Sequence, residues 1–245
     1  MTTILAKLIL PLTAATLFFT ACKPEDTTPT VVKETGKIQV FHAAVDAPAI
    51  DFQVDSKKVN TDSLVYSKGT AYFSAEFTAG NKTGYKIISS KTGQAISADS
   101  LQLESKDKGY SVFLYQDKDA TKTIRAFSVP DILLLPAAGK AKMRLVNLMP
   151  DVNNNIDVEA VTPGSDVTTS SQFSNVSFPK LTDYVEIPKG SYDFKVKLSG
   201  TKTTLPSFPN VTFTFEEGKI YTVVARGYAN KTGVSGGTLT IITNK

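Results

Sequence analysis

The sequence predicts an all-β protein, built from two tandem antiparallel β-sandwich domains. Apolar and charged residues alternate along Tyr192–Leu198, which gives a strand one buried and one solvated face. No long helical pattern competes: the apolar run Ile132–Leu135 is bounded by Pro130 and Pro136 and is predicted to be a buried strand or the connection between domains. Roughly seven short strands per domain, separated by Gly, Asn and Asp turns, indicate immunoglobulin-like sandwiches, with small barrels as the alternative.

The second observation behind this fold is an internal repeat. Gly36–His42 and Gly139–Asn147 both open with Gly-Lys and continue into a strand-like run. Each run is followed by a turn that ends in Ile-Asp, at Asp46–Asp51 and at Asp151–Asp157. Later landmarks keep nearly the same offset, which predicts duplicated domains of about 100 residues each. We expect the first domain at 36–135 and the second at 136–245.

The amino terminus is typical of an export signal. Residues 1–21 carry one charge, Lys7, followed by a short apolar stretch and small residues. Phe19-Thr20-Ala21-Cys22 resembles the lipobox of bacterial lipoproteins, which implies cleavage between Ala21 and Cys22 and attachment of lipid to the Cys22 sulfur. The alternative is an ordinary secreted protein that is cleaved elsewhere and carries a stray cysteine.

A polar segment follows the predicted cleavage site. Residues 22–35 include Lys23–Thr30, which is rich in Pro and Thr and has no apolar periodicity, so we expect a lipidated, flexible tether. Acyl chains on Cys22 would hold the protein on the outer membrane, because two chains already give stable anchoring. Whether the chain faces the periplasm or the cell surface stays open.

Composition excludes several classes of function. The 245 residues include 27 Lys plus Arg and 23 Asp plus Glu, and a formal charge of +4 is too small and too dispersed to predict a nucleic-acid partner. A single cysteine excludes an internal disulfide and a metal cluster held by several cysteines. No phosphate-binding loop, dinucleotide fingerprint or nucleophile elbow is present, so no cofactor is predicted.

One stretch of the first repeat resembles a known family. Val40–Phe52, with His42-Ala43-Ala44-Val45-Asp46-Ala47-Pro48-Ala49-Ile50-Asp51 at its centre, is similar to the opening motif of the bacterial domain of unknown function 4397. The second repeat keeps Asp151 and Ile156-Asp157 but has Asn147 in place of the histidine. The resemblance implies secreted or surface-attached β-domains, often in tandem, with no established catalytic activity.

The motif residues are predicted to be structural. An Asn can replace a hydrogen-bonding His but not a general base or a good zinc ligand, so Asn147 argues that His42 is not catalytic. We expect His42 and Asp46 to hold the turn between the first two strands, because Asp side chains commonly accept hydrogen bonds from backbone amides there. The alternative is a catalytic dyad or partial metal site around the only imidazole. The predicted turn residues are His42, Asp46, Pro48, Asp51, Asn147, Asp151 and Asp157.

A candidate calcium loop lies in the second repeat, where oxygen-bearing side chains alternate. It departs from the EF-hand pattern, because Ile156 stands where the sharp turn needs Gly and Thr162 where the bidentate Glu belongs. An Asn-rich turn is the favoured interpretation, with no metal. The candidate calcium ligands are Asp151, Asn153, Asn155 and Asp157.

Three classes of function follow. The first is a membrane-anchored, non-catalytic binding or adhesion module for an unidentified protein or glycan ligand. The second is a structural or assembly accessory of the outer membrane. The third is a hydrolase, although a chain with a single histidine offers few candidates for a catalytic set. Duplication without an evident catalytic set favours the first class.

Overall fold

A computed structural model describes residues 33–78, 82–119, 121–165, 168–205, 208–209 and 211–245. Within these ranges the chain forms seventeen β-strands and one short 3-10 helix. None of the helical structure in these ranges is long and apolar enough to cross a membrane. The predicted signal peptide, its cleavage site between Ala21 and Cys22, and the lipidation residue Cys22 lie outside the described residues.

The first repeat forms two four-stranded sheets. The strands are β1 (Lys33–His42), β2 (Ile50–Val54), β3 (Lys57–Lys58), β4 (Phe73–Thr78), β5 (Lys82–Ser89), β6 (Ala95–Gln102), β7 (Gly109–Gln116) and β8 (Ile124–Asp131). We call β4-β1-β7-β8 the inner sheet and β3-β2-β5-β6 the outer sheet, in spatial order.

The second repeat consists of β9 (Lys140–Leu148), β10 (Ile156–Val161), β11 (Thr168–Val176), β12 (Lys180–Leu181), β13 (Val185–Pro188), β14 (Gly190–Leu198), β15 (Val211–Phe215), β16 (Ile220–Arg226), the 3-10 helix Gly233–Ser235 and β17 (Thr238–Thr243). Its inner sheet is β12-β9-β16-β17, with β13 also paired to β9, and its outer sheet is β11-β10-β14-β15. The strand order is the same as in the first repeat, so the predicted duplication is confirmed in the topology.

The all-β sandwich is confirmed, although its inner sheets are mixed rather than purely antiparallel. β1 runs parallel to β7, and β9 runs parallel to β16, while the other pairs are antiparallel. Residue patterning does not reveal this difference, because side chains alternate with a period of two in both kinds of ladder.

Each repeat has a core between its own two sheets. Phe52, Phe77 and Tyr110 are fully buried in the first core, and Val196 and Phe215 lie in the second. The alternation predicted for Tyr192–Leu198 is present in β14, whose apolar side chains face the second core while its charged ones face away.

The two inner sheets pack against each other through a third apolar cluster. Because of this contact, β7 and β16 are buried on both faces, and their sequences are nearly continuous apolar runs. The two repeats consequently form one compact unit. The cluster consists of Phe41, Ala43, Phe113 and Tyr115 from the first repeat and Val146, Leu148 and Val224 from the second, with partly buried Phe127, Val129, Phe178, Leu181 and Ile242 around them.

Two boundaries differ from the sequence prediction. β1 begins at Lys33, so the last residues assigned to the tether belong to the first strand, where they pair with β4. Residues 132–135 lie outside any strand between β8 and β9, and Leu134 is 69% exposed, so of the two predicted alternatives the connection between the repeats is confirmed and the buried strand is wrong.

The strand directions define two ends of the molecule. Lys37 pairs with Gly109, which pairs with Asp131, so the start of β1, the start of β7 and the end of β8 share one end, the entry end. His42 and Gln116 lie at the opposite, distal end. Seven residue steps separate the two along β7, about 23 Å at about 3.3 Å per residue.

Candidate functional site at the distal end

His42 ends β1 and is fully buried. Its Nε2 lies 3.2 Å from the Pro48 carbonyl oxygen, across the turn that follows the strand. Because a carbonyl only accepts, Nε2 carries the proton and donates it, which leaves Nδ1 as a bare acceptor without a partner. Burial lowers the pKa of His42 from 6.5 to about 4, so the imidazole is neutral at pH 7.

Asn147 stands at the corresponding place in the second repeat and is also fully buried. Its Nδ2 donates to the Val176 carbonyl at 2.9 Å, and its Oδ1 accepts from the Met149 amide at 3.2 Å. Both repeats therefore bury a polar side chain near the end of the first strand of the inner sheet and bond it to backbone.

Asp46 has partners different from the expected turn amides. Its carboxylate accepts from the Tyr228 hydroxyl at 2.6 Å and from the Lys122 ammonium at 3.0 Å. The Tyr228 hydrogen bond is the largest cause of a lowered pKa of Asp46, with Lys122 assisting. Since Tyr228 follows β16, the motif carboxylate of the first repeat bonds to the second repeat rather than to its own turn.

Asp151, the counterpart of Asp46, bonds to the same loop. Its two carboxylate oxygens accept from the backbone amides of Ala229 at 2.8 Å and Asn230 at 3.2 Å. The loop 227–237 is thus held from both sides by motif aspartates. The Lys231 ammonium also lies 4.0 Å from the centre of the Tyr228 ring. We call Asp46, Lys122, Asp151, Tyr228 and Lys231 the motif-loop cluster.

The Ile-Asp positions of the motif hold strand ends in the outer sheets. Asp51 forms an ion pair with Lys58 at 3.0 Å. Asp157 accepts from the amides of Asn175 at 2.7 Å and Gly200 at 3.2 Å. These two aspartates therefore bond to other partners than the motif-loop cluster does, although they belong to the same sequence motif.

The candidate calcium residues do not share one centre. Asp151 and Asp157 accept from amides of different loops, and Asn155 donates to the Asn175 side chain at 2.7 Å. Asn153 is exposed. No group of three or more His, Cys, Asp and Glu side chains in the described ranges is placed to hold a metal ion. Calcium binding stays a prediction, to be checked by a calcium-dependent shift in Tm.

A groove lies beside the cluster, between the two repeats. It has a volume of about 550 Å³ and is lined by Ser67 from the first repeat and by Arg226, Phe208 and Val234 from the second. The Arg226 guanidinium stacks 4.8 Å from the centre of the Tyr66 ring, so a cation and an aromatic surface lie together at its edge.

Sequence reasoning missed Lys122, Lys231 and Arg226, and it missed the bond between Tyr228 and Asp46. Their contacts join residues far apart in the chain: Asp46 and Tyr228 are separated by 182 positions. The one available signal is that each follows or ends an unusually continuous apolar strand, β7 or β16, whose two buried faces indicate packing between the repeats.

The fold and the site define a tandem β-sandwich protein whose two motif turns meet on one loop. The family model described as Domain of unknown function (DUF4397) matches residues 36–159 and 154–240, so the chain belongs to the DUF4397 family. No curated protein matches it.

Two solved structures show low similarity to the chain. One is the Bacillus anthracis TIE protein, with 12% sequence identity and a TM-score of 0.24. The match covers 78% of this chain and 34% of the TIE protein chain, so it spans about a third of that protein. The other is a streptococcal structure of alpha-glucan recognition by family 41 carbohydrate-binding modules, with 10% identity and a TM-score of 0.24 over 83% of this chain and 96% of that one.

Proposed function

We propose that this chain is a lipid-anchored, non-catalytic binding or adhesion module of the outer membrane, and that its distal loops contact the ligand. The observation that carries the proposal is the motif-loop cluster: the turns of both repeats converge on the loop 227–237, at the end opposite to the one where the chain enters β1. A module held by its amino terminus would present this end outward.

Rigid presentation supports binding. The loops that carry Asp46, Lys122 and Tyr228 come from both repeats, and the packed inner sheets fix their separation before any ligand arrives. Preorganised loops lose less conformational entropy on binding than free loops do. The exposed Lys122 and the adjacent groove with Arg226 offer cationic and aromatic contacts, which suit a polar glycan or an acidic protein surface.

The state of His42 supports a non-catalytic role. A general base has to reach the substrate and to change protonation near the working pH. His42 is fully buried, with a pKa of about 4 and its Nε2 proton bonded to Pro48, so the only imidazole of the chain meets neither condition.

The binding proposal is tested with the chain from Lys23, labelled and applied to glycan and matrix-protein arrays. Any ligand found is then titrated against K122A/K231A at the distal end and K106A/K108A at the entry end, which remove the same charge. The distal variant should weaken binding about tenfold or more, and the entry-end variant should not. Absence of any ligand, or equal loss in both variants, would contradict the proposal.

The anchor is tested on Cys22. Mass spectrometry of the amino-terminal peptide should show a lipidated Cys22, and C22S should lose this lipid and partition less into the membrane fraction. Protease shaving of intact cells then distinguishes the cell surface from the periplasm. An unmodified amino terminus generated by cleavage elsewhere would favour the ordinary secreted protein.

A further inference from the structure

The connection between the repeats exposes three large apolar side chains. Ile132 is 60% exposed, Leu134 69% and Leu135 63%. Among the described residues, only Val65 and Val234 are other exposed large hydrophobics, and they lie elsewhere in the chain. Isolated exposed apolar residues are ordinary, whereas a contiguous group marks an interaction surface.

The backbone of this connection is held in place. The Lys142 ammonium donates to the Leu134 carbonyl at 2.9 Å, and the Lys245 ammonium approaches the Leu133 carbonyl at 3.4 Å. These bonds attach the segment to the end of the second inner sheet, because Lys142 pairs with Ile220 at the start of β16. The apolar side chains are therefore presented outward by a fixed loop.

The connection lies at the entry end. Asp131, the residue before Ile132, pairs with Gly109, which in turn pairs with Lys37 of β1. Ten residues separate Cys22 from Lys33, the first residue of β1, and ten extended residues reach at most about 36 Å. A lipid on Cys22 would thus hold the start of β1, which lies at this end, within about that distance of the bilayer surface.

Charge near the connection also fits a phospholipid surface. Two of the acidic side chains near the connection, Glu186 and Glu217, are paired with Lys140 at 2.9 Å and Lys189 at 2.7 Å, whereas the exposed Asp183 lines the same pocket as Ile132. Lys142 and Lys245 add cationic groups next to the apolar side chains. An apolar tip beside lysines matches the boundary between acyl chains and anionic headgroups.

We propose that Ile132, Leu134 and Leu135 insert into the phospholipid surface to which the chain is tethered, and that this second contact orients the molecule with its distal end away from the bilayer. In the cell, this inference rests on the proposed lipid anchor. The surface itself belongs to the folded repeats, so it acts without lipid on Cys22.

The test uses the chain from Lys23, which lacks the lipidation site and contains every described residue. Its cosedimentation is measured with vesicles of phosphatidylethanolamine and phosphatidylglycerol, for the unmodified chain, for L134S/L135S and for V234S. Val234 is 85% exposed at the distal end, so V234S is the control that removes an exposed apolar side chain far from the connection. We expect the unmodified chain and V234S to bind equally, and L134S/L135S to lose about tenfold or more in partitioning.

Equal binding of L134S/L135S, equal loss in V234S, or no binding of the unmodified chain would each overturn the inference. The outcome is separable from the anchor. If Cys22 is lipidated but the loop does not bind vesicles, only the orienting contact is refuted. If Cys22 is unmodified but the loop binds vesicles, only the anchor is refuted.

Discussion

Arg144 and Asp131 form an ion pair across the boundary between the repeats, with side chains that are 3% and 0% exposed. The Ser111 hydroxyl donates to the Asp131 carboxylate at 2.9 Å, and the Arg144 Nε donates to Thr222 at 2.9 Å. The pair is thus bonded on both sides of the interface. Buried charges are tolerated when they are paired and hydrogen-bonded in this way.

Removing one partner should destabilise the whole molecule. R144M leaves the Asp131 carboxylate buried without its counter-ion, which costs about 3–5 kcal/mol in the free energy of unfolding. R144M/D131N should lose less than the sum of the two single variants, because it leaves no uncompensated charge. Urea unfolding measures these values. K140M, at the exposed pair with Glu186, is the control and should cost less than about 1 kcal/mol. Additive single losses would argue against coupling.

The role of His42 predicts a pH dependence. Its pKa is about 4 in the folded chain and near 6.5 when exposed, so between these values the unfolded state binds a proton that the folded state does not. The contribution of the neutral imidazole to the free energy of unfolding is fully present above pH 6.5 and is lost as pH falls towards 4. Between pH 7.5 and pH 5 the free energy of unfolding should therefore fall by about 2 kcal/mol.

H42N, which copies Asn147 of the second repeat, should remove that part of the dependence. The measurement is urea unfolding at pH 7.5 and pH 5 for both proteins. The lowered pKa of Asp46 acts in a separate, more acidic window, below its ordinary value of 3.8, so it does not mimic the effect. An unchanged pH slope in H42N would show that His42 is not the titrating group.

How far the sequence predicts this molecule depends on the range of each contact. The alternation in β14 and the paired landmarks of the two repeats are local, so they predict strands and duplication correctly. The partner of Asp46 is not local: its turn predicts nearby amides, but packing of the inner sheets brings Tyr228 within reach instead. Arg144 and Asp131 carry no motif at all, because a buried ion pair is recognisable only once the surfaces around it are known.

A glycine at the start of the loop 227–237 gives a third prediction. Gly227 has φ +86°, and a Cβ added there would lie 2.2 Å from the Gly236 carbonyl oxygen. G227A should therefore push apart the two sides of the loop and displace Tyr228. Gly218 has φ +77° with open space around it, so G218A costs only the backbone strain, about 1–2 kcal/mol. We expect G227A to cost about 1–3 kcal/mol beyond that, measured by urea unfolding; equal losses would mean that the loop yields freely.

The bond between Asp46 and Tyr228 gives the last prediction. Y228F keeps the ring beside Lys231 but removes the hydroxyl that lies 2.6 Å from the carboxylate. The pKa of Asp46 should rise towards 3.8, because this hydrogen bond is the largest cause of its lowering, and unfolding should become easier by about 1 kcal/mol. Carboxyl NMR titration measures the first effect, with Asp157 in the outer sheet as the internal control. A shift shared by both carboxyls would indicate a general loosening, whereas a shift confined to Asp46 would identify Tyr228 as the residue through which the second repeat controls the motif turn of the first.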